Sequence, residues 1–138
     1  MEVTVRHLGG ARFSAQARSH TLVCDQPVEN SGTDSGMTPP ELLLSSLATC
    51  AGYYAAEYIR TRSLAVGGLA VRVTAEKAQH PARLAGFRIE VQAPGLPEGH
   101  LAGLERSVKH CLVHNTLLDT PAIETVFETG AVQSERGA

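Results

Sequence analysis

The segment Thr38-Pro39-Pro40-Glu41-Leu42-Leu43-Leu44-Ser45-Ser46-Leu47-Ala48-Thr49-Cys50 constrains the fold more than any other part of this chain. Thr38 and Glu41 have the spacing of a capping box, in which each side chain bonds the other's otherwise unpaired backbone N–H. Pro39 falls at the first helical position, where a missing N–H costs nothing. Beyond the cap almost every side chain is apolar or small, so the helix calls for protein on all sides rather than a wet outer face. The pattern runs to about Arg62, where Glu57, Arg60 and Arg62 mark a wetter end, and Gly67-Gly68 closes the unit. A cysteine inside such a helix is either a core residue or a sheltered nucleophile.

The remaining elements are short. Val3 and Val5 alternate with polar neighbours, Gly9-Gly10 turns the chain, Phe13 and Ala15 alternate again, and Thr21-Leu22-Val23-Cys24 follows. This predicts a three-stranded antiparallel meander. Residues 25–37 form a loop by composition, long enough to be a candidate for lining a site. Leu69, Val71, Val73 and Ala75 predict one half-buried strand, and Phe87, Ile89 and Val91 a second, with His80-Pro81 in the turn between them. Helical spacing returns from Glu98 to Lys109 and again from Cys111 to Leu118. Ile123, Thr125 and Phe127 predict a last strand, and the tail after Gly130 is expected to fray.

The order β-β-β-α-β-β-α-α-β is an α+β pattern with antiparallel sheets. A chain of 138 residues is expected to be a single domain. Its parts are a meander and loop (1–37), a central helix (38–66), a β-β-α-α-β segment (67–130) and the tail (131–138). Two small sheets and one amphipathic helix cannot cover a long helix that is apolar nearly all round. A second copy of the chain is the simplest cover.

Composition narrows the function. A net charge of −2 supplies no basic face for nucleic acid and no polybasic patch for a membrane. No run approaches the roughly 18 apolar residues of a membrane span, and the N-terminus does not read as a signal peptide. Three widely spaced cysteines argue against a secreted disulfide framework and for a cytoplasmic protein with reactive thiols.

Cys50 by itself reads as a core residue, because free cysteine is among the most buried residue types. Burial raises a thiol's pKa, and Cys50 lies too far along the helix to gain from its N-terminal end, so reactivity would require an imported cation. Cys111 lies in Lys109-His110-Cys111-Leu112-Val113-His114-Asn115-Thr116, where a lysine and two histidines favour a thiolate; a surface or boundary cysteine at a helix junction is the equal alternative. Cys24 reads as structural. Three constellations follow: a Cys50–Cys111 redox pair; a zinc site using Cys111, His114 and Cys50 or His110; and a Cys–His nucleophile built on His114.

Taken together, the segment from Pro39 to Cys50 and the later His110-Cys111-Leu112-Val113-His114-Asn115-Thr116-Leu117 resemble the OsmC/Ohr superfamily, the osmotically induced protein C and organic hydroperoxide resistance group, in its OsmC-like branch. The resemblance implies an intertwined homodimer, with β-sheets of both chains wrapped around two long helices. It implies a thiol-dependent peroxidase acting on organic hydroperoxides without metal, flavin or other cofactor. Cys50 would become a sulfenic acid, Cys111 would resolve it as a disulfide, and a dithiol, possibly of lipoyl type in parts of the family, would reopen it. The family's activating pair is an arginine from the N-terminal strands and a glutamate at the helix start. Arg18 or Arg12 fills the first role, with Arg18 preferred. Glu41 is the available glutamate, although Pro40 stands at the family's position, and one residue turns a helix by about 100°. The alternative expectation is a redox-sensing or small-ligand-binding protein that keeps the thiols without efficient turnover.

Overall fold

The computed structural model describes residues 1–130. Three strands come first: β1 (Thr4–Gly9), β2 (Arg12–Ala17) and β3 (His20–Cys24), paired antiparallel in that order. The register sets Val5 beside Ala15 and Ala15 beside Leu22, and Phe13 beside Cys24, so these residues share one face. Arg6, Ser14 and Val23 lie on the other. The described residues leave this apolar face open: Val5, Phe13 and Leu22 are all exposed.

The loop after β3 is more ordered than its composition implies. Asp25 is fully buried, and its carboxylate accepts hydrogen bonds from the backbone N–H groups of Gln26, Thr33 and Ser35 and from the hydroxyls of Thr33 and Ser35, at 2.7–3.1 Å. These contacts, led by the Ser35 N–H, hold its carboxyl well below the usual carboxylate range. One buried side chain thus ties together a loop whose regular structure is a single short 3-10 turn, Val28–Asn30.

Helix α1 (Pro39–Thr61) opens with the expected cap. The Thr38 Oγ1 accepts the Glu41 N–H at 3.4 Å, and the Glu41 carboxylate accepts the Thr38 N–H at 2.8 Å. The helix ends earlier than the 38–66 unit read from sequence. Arg62 is the C-cap, and Ser63 adopts a positive φ of 51° that turns the chain out of the helix. Leu47, Ala51, Ala55 and Tyr58 are its buried residues, a stripe at helical spacing.

That stripe packs on the long hairpin of β4 (Ala70–Ala78) and β5 (Arg83–Gln92) and on helix α2 (Leu101–Val108). Ile89, Val91 and Val71 meet Ala51, Ala55, Leu104 and Val108 in the core. A short third helix, α3 (Leu112–Leu118), lies against α1. Gly103 of α2 sits where any side chain would collide with the Tyr58 hydroxyl, so α2 approaches α1 closely there. The Tyr58 hydroxyl also pairs with His100 Nδ1 at 2.9 Å, and the Arg62 guanidinium stacks 3.7 Å above its ring.

The described part is therefore a mixed α+β fold with two antiparallel sheets and three helices. Among the described residues no helix is long and apolar enough to cross a membrane. One expectation is corrected. The last strand is absent: residues 119–130 join no ladder, and Ile123 and Phe127 are each 86% exposed. Alternation makes this segment competent to be a strand, but a strand exists only with a partner, and the described residues offer it none. As the sequence implied, the described residues do not enclose the central helix: Tyr53 is 61% exposed and Leu43 also reaches the surface. The expected frayed tail after Gly130 lies outside the described residues.

Candidate active site

The site forms where the middle of α1 meets the start of α3. The chain leaves α2 through a tight turn, in which the Cys111 N–H bonds the Val108 carbonyl at 3.1 Å. Cys111 then acts as N-cap of α3, its Sγ accepting the His114 N–H at 3.4 Å. This cap is fully buried against α1. The first N–H groups of α3 have no partner within the helix, as at any helix start. Cys50 of α1 meets them.

Burial raises the Cys50 thiol, but the nearby Cys111 thiol and the backbone N–H groups of Val113 and Leu112 at the start of α3 together bring it below its ordinary value. Cys111 moves the other way. Its burial and the nearby Cys50 thiol push it up, against the opposing effect of the His114 N–H. The pair is polarised: Cys50 is the better thiolate and Cys111 the proton-bearing thiol. Both are free thiols, with Cys50 partly accessible and Cys111 enclosed.

This corrects one expectation. The thiolate-favouring environment read around Cys111 does not reach its sulfur, because Lys109 and His110 lie at the surface while the sulfur is buried. Within the single chain the groups that lower Cys50 are neutral donors at a helix start rather than a cation. Sequence reasoning missed Leu112 and Val113 altogether. The detectable signal was the position of Cys111 at a break in helical period, where a new helix must present unpaired N–H groups.

The remaining candidates lie apart from the thiols. Arg18 occupies the tip of the β2–β3 hairpin, with φ of 55°, beside Thr4, Arg6 and Gln16. Arg12 starts β2 opposite Gly9. Their sheet makes no extensive packing with α1 of the same chain. Glu41 is engaged in the cap and exposed. Cys24 closes β3, as a structural residue would, and forms an isolated bridge with Met37. Among the described residues no group of three His, Cys, Asp or Glu side chains is arranged to hold a metal ion. His114 bonds Cys111 through its backbone N–H, and the residue also borders cavities along β5, its ring Nδ1 enclosed.

The family model for OsmC-like protein matches residues 32–126, which contain α1, both site cysteines and the whole of α3. The chain belongs to the OsmC-like protein family. Solved structures share its fold. A Psychrobacter arcticus 273-4 protein, whose name refers to osmotic stress and detoxification response, superposes with a TM-score of 0.74 at 24% identity, over 83% of this chain and 85% of that one. An OsmC-like protein from Mycoplasma pneumoniae gives 0.70 at 22% identity, over 86% and 87%. An organic hydroperoxide resistance protein OsmC from Legionella pneumophila gives 0.62 at 13% identity, over 84% and 87%. No curated protein matches the chain.

Proposed function

We propose that this OsmC-like protein is a thiol-dependent peroxidase that reduces organic hydroperoxides. The observation that carries the reading is the placement of Cys50 of α1 beside the buried Cys111 that caps α3, two free thiols of which Cys50 is lowered from its ordinary value and Cys111 raised. The Cys50 thiolate attacks the distal oxygen of ROOH; an S–O bond forms, the O–O bond breaks, and RO⁻ leaves as the alcohol after taking a proton. Cys111 then attacks the resulting Cys50 sulfenic acid, forming the disulfide and releasing water. An external dithiol reduces the disulfide and is itself oxidised. Names of fold relatives that refer to organic hydroperoxide resistance agree with this chemistry.

The proposal includes a homodimer working in the cytoplasm. The chain exposes 10795 Å², whereas a compact monomer of 14.6 kDa exposes about 6900 Å². The excess is larger than the roughly 1000–2500 Å² that each chain buries in most obligate dimers, so the extended segment 119–130 contributes to it beside any interface. The uncovered face of the N-terminal sheet, the open side of α1 and the unpaired segment 119–130 are the surfaces a second copy would cover. With the apolar sheet face laid on the partner's α1, Arg12 would alternate away from it beside Phe13, while Arg18 at the hairpin tip is free of that alternation. Arg18 is therefore the better arginine to reach Cys50 across the interface. Glu41 would assist by orienting it from the helix start.

A second reading is supported by the capped, exposed Glu41 and by the distance in sequence and fold between either arginine and Cys50. On that reading the protein senses oxidant or binds a small ligand through the same thiols, without rapid turnover. The experiment is steady-state consumption of cumene hydroperoxide with dihydrolipoamide. Turnover that Cys50→Ser abolishes is expected. Stoichiometric Cys50–Cys111 disulfide formation without turnover favours the sensor, and undiminished turnover in Cys50→Ser overturns both.

A further inference from the structure

The last turns of α1 and α2 meet around an open cavity of about 300 Å³, lined by Tyr58, Arg62, Gly103, Arg106, Ser107 and His110. Gly103, Arg106, Ser107 and His110 recur at helical spacing, so α2 and the turn after it supply one wall. Tyr58 and Arg62, one turn apart, supply the other. Tyr58 belongs to the buried stripe of α1, so the cavity faces α2 rather than the open side of the helix, and no residue of segment 119–130 lines it. It lies two turns beyond Cys50, about 12 Å along the helix axis, and is separate from the thiols.

The lining carries two guanidiniums and an imidazole but no carboxylate. Among the described residues none of the three forms an ion pair, whereas Arg60, Arg72 and Arg88 all do. Arg62 is also held in place. Its guanidinium stacks 3.7 Å from the centre of the Tyr58 ring and donates to the Tyr58 carbonyl at 3.4 Å, while the Tyr58 hydroxyl is tied to His100. Cations at helix C-terminal ends offset the negative end of the macrodipole, which accounts for Arg62 and Arg106 singly. It does not account for their converging on one cavity, where like charges repel. An anion between them removes that repulsion and accepts from the guanidinium N–H groups.

We propose that this cavity binds a phosphoryl group, with Arg62 and Arg106 as its anchors and His110 as a further donor. Ser107 is not one of the donors, since its hydroxyl already bonds the Tyr54 carbonyl at 3.1 Å. Two permanently charged guanidiniums match a doubly charged oxyanion, whereas a monocarboxylate leaves one cation unmatched. Their planar forks suit phosphate oxygens, each of which accepts more than one N–H. Inorganic phosphate and a phosphate ester present the same group to the arginines. The site needs neither the peroxidase reading nor a second copy of the chain.

The test titrates full-length reduced protein at low ionic strength with inorganic phosphate, phenyl phosphate and acetate, read by calorimetry and by arginine side-chain resonances. Wild-type protein should bind phosphate saturably at one site per chain, at least about tenfold more tightly than acetate, the scale of one charge-assisted hydrogen bond. Arg106→Gln and Arg62→Gln should each weaken phosphate by about tenfold or more. Arg106→Lys, which keeps a point charge, should recover part of the loss. Arg88→Gln removes a cation paired with Glu90 outside the cavity and should change nothing. Phenyl phosphate binding more tightly than phosphate supports the site with an ester as its occupant; equal or weaker binding supports it with free phosphate. No saturable phosphate binding, acetate bound as tightly, binding undiminished in either Arg→Gln variant of the cavity, or an equal loss in Arg88→Gln overturns the proposal.

Discussion

Cys50 and Cys111 are neighbours where the middle of α1 meets the start of α3, and their thiols shift in opposite directions, Cys50 downward and Cys111 upward. The arrangement assigns roles before any oxidant arrives. The thiol that is partly accessible is the one held toward the thiolate, and the enclosed thiol keeps its proton.

Alkylation should therefore be asymmetric. Iodoacetamide should modify Cys50 with a pH midpoint below the ordinary thiol value and well before Cys111. Removing the neighbouring thiol in Cys111→Ala should move the Cys50 midpoint upward. Leu112→Pro should act in the same direction with less disruption: it deletes one backbone donor at the first position of α3, where proline is tolerated, after a residue with φ of −54° and ψ of 123° that suits a following proline. Mass-resolved alkylation across pH reads all three, and an unmoved midpoint would show that the donors do not act on Cys50.

The two cysteines should separate kinetically. Cys50→Ser should lower hydroperoxide consumption by at least a hundredfold, to the uncatalysed background. Cys111→Ser retains a hydroxyl beside Cys50, so it should still consume about one equivalent of hydroperoxide in a burst and then stall as a sulfenic acid. Single-turnover and steady-state assays on the same preparations distinguish the two patterns.

Asp25 predicts acid sensitivity. Its ordinary carboxyl value is 3.8, and in the fold it lies well below that. As pH falls through about 4 the unfolded chain takes up the proton first, so the stabilisation is present above that pH and is lost progressively below it. Denaturation midpoints measured from pH 7 down to pH 2 should fall in this window. Asp25→Asn should be less stable at neutral pH, because its amide cannot accept all the Thr33 and Ser35 donors, and its midpoint should vary less between pH 4 and 2.

Tyr58 and Gly103 should be energetically coupled. Tyr58→Phe loses the bond to His100 and should cost about 1 kcal/mol. Gly103→Ala places a methyl group against the Tyr58 hydroxyl and ring and should cost about 1–3 kcal/mol through overpacking. Removing the hydroxyl relieves part of that collision, so the double variant should be more stable than the sum of the two losses implies. Urea unfolding of the four proteins measures the coupling.

The uncovered sheet face gives a prediction about assembly. Light scattering should return twice 14.6 kDa. Leu22→Glu, which sets a charge on the apolar face of the N-terminal sheet, should shift the protein toward monomer and weaken self-association by at least about tenfold, since an unpaired carboxylate is costly to bury. A wild-type protein that remains a monomer would remove the dimer from the functional proposal.

What the sequence determined by itself is local. The capping box of Thr38 and Glu41, the meander and hairpin alternations and the two late helices all rest on spacings of two to four residues, which set the backbone geometry directly. The resemblance carried by Cys50 and Cys111 pointed to the right family for the same reason, as motifs in recognisable elements. Tertiary structure decided the rest. Asp25 became an anchor only because the loop folds over it, and residues 121–127 lack a strand because pairing needs a second edge. The polarity of the thiol pair depended on which sulfur meets the free N–H groups of α3. Neighbours in sequence suggested Cys111 as the thiolate, but hydrogen bonding and burial act through space, and in space the donors face Cys50.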